Sequence, residues 1–77
     1  MSKKSQLKKA ISDCEREIEA YEHKRERSQT AIMRAMLAGK KPLPEDEQYF
    51  TTFSNLIDQE REKLRKLHIE LEELNKK

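Results

Sequence analysis

Apolar side chains recur along this chain at alternating steps of four and three residues. The first series runs Leu7, Ile11, Cys14, Ile18, Tyr21, Arg25, Ser28, Ile32, Ala35, apolar at both ends around a polar middle at Arg25 and Ser28. The second runs Phe50, Phe53, Ile57, Glu60, Leu64, Leu67, Leu71, Leu74, with Glu60 its one charged member. This spacing is the heptad seam of helices that pair along an apolar stripe. No Gly or Pro occurs between residues 2 and 38, so nothing there stops a long helix. The break lies between the two series, where the only glycine, Gly39, and both prolines, Pro42 and Pro44, fall close together. Glycine takes the left-handed conformation that ends a helix, and proline fits a first helical position but not a helix interior. Lys40 and Lys41 suit the negative end of the first helix; Glu45, Asp46 and Glu47 suit the positive end of the second. The prediction is an all-α, two-helix antiparallel coiled-coil hairpin spanning residues 1–77. Its first helix covers about 4–38, its hinge 39–43 and its second helix about 44–75. Ser2 or Ser5 is the expected first cap.

Folding the chain at the hinge sets one series against the other. The fullest alignment sets Ile11 against Leu74, Cys14 against Leu71, Ile18 against Leu67 and Tyr21 against Leu64. Further along, Ser28 meets Ile57, Ile32 meets Phe53 and Ala35 meets Phe50. The two charged seam residues, Arg25 and Glu60, then meet each other and form a pair that sets the register. A slip of one heptad also keeps the seam, but is expected to waste Leu71 and Leu74.

Composition agrees with paired, solvated helices: 34% of residues are hydrophobic and 42% charged. Net charge is only +2, yet residues 1–41 carry eleven Lys/Arg against six Asp/Glu, while residues 42–77 carry six against nine. Opposite signs on the two halves favour their lying side by side. The weak net charge, with no aromatics interleaved among the cations, does not point to nucleic acid. The single cysteine, Cys14, allows no internal disulfide and fits a reducing, cytoplasmic setting. No apolar run approaches the roughly 18 residues of a membrane span, so no membrane insertion is expected.

No catalytic constellation is visible. His23 and His68 stand apart from any ligand-spaced Cys, His or carboxylate set, and there is no phosphate loop or nucleophile elbow. Cys14 lies on the seam and reads as a small buried hydrophobe. The expectation is a non-enzyme with no cofactor and no metal. The informative remainder is the apolar side chains off the seam, which concentrate near the hinge: Ala31, Met33, Met36, Leu37 and Leu43 on one side, Tyr49 and Leu56 on the other. Methionines adapt to helical partners, and aromatics anchor interfaces. Met33, Met36, Leu37, Tyr49, Phe53 and Leu56 are therefore the candidate partner-binding residues.

The chain resembles the small co-chaperones of bacterial type III secretion, the YscE/PscE/AscE group. The resemblance lies in its size, its two-helix plan and its hinge region. There, Met33, Arg34 and Met36 lead into Gly39, and Gln48-Tyr49 opens the second helix. It implies a cytoplasmic helical hairpin that joins a tetratricopeptide-like chaperone to keep a needle subunit from polymerising before export. The alternative is a self-assembling coiled-coil module, a dimer packed as a four-helix bundle, with nucleic acid touched through the basic first helix as its variant.

Overall fold

The computed structural model describes residues 2–76. Two helices, α1 (Lys3–Leu37) and α2 (Pro44–Asn75), pack antiparallel as an all-α hairpin. The rod measures 59 × 16 × 16 Å.

The ends of the helices follow from local chemistry. Ser2, not Ser5, caps α1: its extended backbone aims the hydroxyl oxygen to accept the Ser5 N–H at 3.2 Å. At the other end Gly39 adopts φ +70°. Its N–H donates to the Met36 carbonyl at 3.0 Å, and the Lys40 N–H reaches back to the Ala35 carbonyl at 2.9 Å. These paired bonds are the Schellman closure, which satisfies carbonyls that a helix end otherwise leaves orphaned. Leu43 is extended and precedes Pro44 at the first position of α2, whose first turn carries Glu45, Asp46 and Glu47. No side chain caps this end; the carboxylates on the helix dipole serve in its place.

The seam is buried as the spacing predicts. Leu7, Ile11, Cys14, Ile18, Ser28, Phe53 and Ile57 are buried, and every other seam position is half-buried. Cys14, Ile18 and Ile57 form the centre of the core, with Tyr21, Leu64 and Leu67 packed against them. Ser28 satisfies itself by donating to the Arg25 carbonyl at 2.7 Å.

The register differs from the fullest alignment. Cys14 contacts Glu60 rather than Leu71, and Tyr21 stacks against Phe53, ring centroids 5.8 Å apart, rather than Leu64. The Arg25 guanidinium lies 6.0 Å from the Phe50 ring centre, so Arg25 and Glu60 do not meet. These contacts displace α2 by ten or eleven residues from the fullest alignment, about 16 Å along the axis and further than a slip of one heptad. This register sets Cys14 level with Glu60, Tyr21 with Phe53 and Arg25 with Phe50, which places Leu7 near Leu67. It wastes neither Leu71 nor Leu74, both of which are half-buried. The physical reason is Leu7. In the fullest alignment it has no seam residue across from it, whereas here it is only 7% exposed. Covering a leucine is worth about 1.5–3 kcal/mol, a contribution that the fullest alignment forgoes.

The opposite charge of the two halves is not what joins them. Among the described residues one ion pair crosses between the helices, Arg61 to Glu22 at 3.4 Å, with the carboxylate on the basic half and the cation on the acidic half.

Candidate partner-binding surface

The register also shapes the hinge end. Ile32 comes level with residues 42–43 of the hinge instead of Phe53, so no seam side chain of α2 closes over that end. The result is an open groove of about 580 Å³ lined by Ile32, Met33, Met36, Pro42 and Phe50, with Gln29, Glu47 and Thr51 at its edge. Met33 is 54% and Met36 63% exposed. Both lie on one flank of α1, beside the seam, and face the same flank of α2.

The other candidate residues do not join them. Tyr49 projects on the opposite flank, where it lines a smaller depression with Lys24, Arg27, Ser28 and Asp46. Leu56, at the same heptad position one repeat later, is half-buried on that side. Leu37 is the most exposed large apolar side chain and points away from the pairing face, while Leu43 stands exposed in the hinge. Phe53 is not a surface residue at all. It is only 8% exposed, held between the Tyr21 ring and the Tyr49 ring at 4.8 Å, with the Lys24 ammonium 5.5 Å from its centre. Its seam position already implied burial. Its aromatic ring serves the seam and not a partner-facing surface. Conversely, Ile32, Phe50 and Pro42 line the groove although the first two are seam residues. Only the register reveals them, because an unmatched seam position becomes a groove floor.

The other reactive side chains have local explanations. The Cys14 thiol is 2% exposed and sits 3.2 Å from both the backbone oxygen and a carboxylate oxygen of Glu60. Its single proton can be donated to either. Burial pushes the thiol up to about 11, and Glu60 adds to this by accepting the proton's hydrogen bond and repelling a thiolate. Such a group is inert at neutral pH. His23 is exposed and lies 3.9 Å from Glu19, and His68 is also exposed. Among the described residues no three His, Cys, Asp or Glu side chains are grouped to hold a metal ion, and no helix is long and apolar enough to cross a membrane.

No family model, characterised protein or solved structure matches this chain.

Proposed function

We propose that this hairpin is a non-catalytic helical adaptor that receives a helix of another protein in its hinge-side groove. The observation that carries the reading is the groove itself: Ile32, Pro42 and two methionines around the Phe50 ring, left open by the seam's own register. An amphipathic helix lays its apolar face into such a groove, and methionines re-pack to fit it. The mechanism is mass action: a partner whose apolar surface is covered spends less time free and prone to aggregate. The resemblance to type III secretion co-chaperones supports a bacterial, cytoplasmic setting. It makes the partner a tetratricopeptide-like chaperone, with the needle subunit as the cargo of the pair.

The test is a binding titration of the purified hairpin against such a chaperone from the same host. Met36→Asp abolishes binding while helicity is retained, because a carboxylate then sits in the groove without a counter-charge. Tyr49→Asp, on the opposite flank, leaves binding within about threefold, as expected of a residue outside the contact. Equal loss from both variants places the contact elsewhere. Self-association into a four-helix bundle is the second reading, favoured by the exposed Tyr49 and Leu37 that the groove does not use. It predicts a mass that grows with concentration in the absence of any partner.

A further inference from the structure

The hinge groove continues into a charged strip. Along the same flank of α1, helical steps of three and four lead from Met36 and Met33 through Gln29 to Glu26, Glu22, Glu19 and Glu15. All four carboxylates are exposed. No lysine or arginine between residues 12 and 33 shares this strip; Arg16, Lys24, Arg25 and Arg27 all fall on other faces of the helix. The segregation runs against the composition of this half of the chain, where cations outnumber acids. One of the four carboxylates is matched by a cation of α2, Glu22 by Arg61 at 3.4 Å. Glu19 has only the exposed His23 at 3.9 Å, and Glu15 and Glu26 make no ion pair among the described residues. Within the groove the one charged lining residue is Glu47, again an acid. Like charges at these helical spacings repel and destabilise a helix. The strip is therefore a cost to the isolated hairpin that a cationic partner removes.

We propose that the occupant of the groove is a basic amphipathic helix, anchored by apolar side chains between Met33, Met36 and Phe50 and carrying lysine or arginine onward along the same face. The inference rests on the adaptor reading and adds the chemistry of the partner. Glu15 to Glu26 spans about 16 Å of helix axis, so the partner's cations follow its apolar anchor over about three turns on one face. The apolar contact holds the complex, and the acidic strip selects which helix is held. Charge complementarity of this kind acts mainly on encounter rate and on the choice between partners. An acidic helix with the same apolar face meets like charge along the whole strip and is rejected.

Synthetic helical peptides test this against the intact hairpin. They share one leucine-rich apolar stretch and differ only on the continuing face, where the residues are lysine, glutamine or glutamate. Each exposed pair contributes little alone, so the lysine peptide is expected to bind about tenfold tighter than the glutamine peptide at low salt, with the glutamate peptide weakest. At about 1 M salt, where charges are screened beyond about 3 Å, the three converge. Glu15→Gln, Glu19→Gln and Glu26→Gln together erase the lysine advantage. Glu17→Gln, Glu70→Gln and Glu73→Gln change the net charge equally on the flank of Tyr49 and leave that advantage intact. Met36→Asp removes binding of the lysine and glutamine peptides alike. Equal affinity for those two peptides overturns the basic partner and leaves the adaptor reading standing, and so does a lysine advantage that both triple variants reduce equally. If no peptide binds, or binding ignores Met36→Asp, the groove is not the docking site, and the adaptor reading falls together with this inference.

Discussion

At the scale of single residues, the two most enclosed side chains, Ile57 and Cys14, carry different consequences. Ile57 is 0% exposed and stands at the centre of the core with Cys14 and Ile18. Ile57→Ala is expected to cost about 2–5 kcal/mol, a large share of what any single-seam hairpin holds, so its helical signal at room temperature falls sharply. Ile69→Ala, at a site 41% exposed, leaves that signal within error. Cys14 gives stability a pH dependence whose sign follows from its raised pKa. The folded thiol titrates near 11 and the unfolded one near 9.0, so between those values the folded chain binds more protons. Stability attributable to Cys14 is therefore complete below pH 9 and declines as pH rises toward 11. Melting the native chain and Cys14→Val side by side at pH 8 and pH 10.5 checks this, because the valine variant lacks that decline while sharing every other titration.

At the scale of elements, the helix boundaries were legible because they rest on local chemistry. Gly39, Pro44 and the run of three carboxylates each name a position without reference to the rest of the fold. Gly39→Ala tests the most specific of these. A Cβ there meets nothing within 4 Å, so the only cost is the left-handed backbone at φ +70°, about 1–2 kcal/mol for a residue with a side chain. A lowered melting temperature with unchanged helicity below the transition is the expected outcome. No drop would mean the turn has another conformation. Ser2→Ala tests the opposite end of α1. It removes the acceptor for the Ser5 N–H and costs about 1 kcal/mol, seen as extra fraying and not as global loss. The register was less legible. Heptad seams repeat, so spacing alone leaves several registers open, and the observed one lies ten or eleven residues from the fullest alignment. The choice turned on a pair, Arg25 and Glu60, whose mutual attraction is a single interaction that the burial of Leu7 outweighs.

At the scale of the whole molecule, a rod 16 Å across has one internal seam and no enclosed centre. The candidate surface was legible only as a neighbourhood. The residues near the hinge are identifiable as apolar and off the seam, and their heptad positions divide them between two flanks; what depends on how far one helix has slid past the other is which of them line a groove. That division decides the final prediction. With so much apolar surface uncovered at one end, the isolated hairpin is marginal in stability, and ligand binding raises its melting temperature by mass action. The solution mass and helicity of the isolated chain, followed together over a wide concentration range, separate the two arrangements. A chain that stays monomeric and melts at low temperature has its groove unfilled, and saturating chaperone then raises its melting temperature in a way that Met36→Asp abolishes and Tyr49→Asp does not. A chain that dimerises as concentration rises, with melting temperature rising in step, has covered its exposed apolar side chains with a second copy. Whether Met36→Asp or Tyr49→Asp then dissolves the dimer tells which flank was covered, because the two side chains lie on opposite sides of the seam.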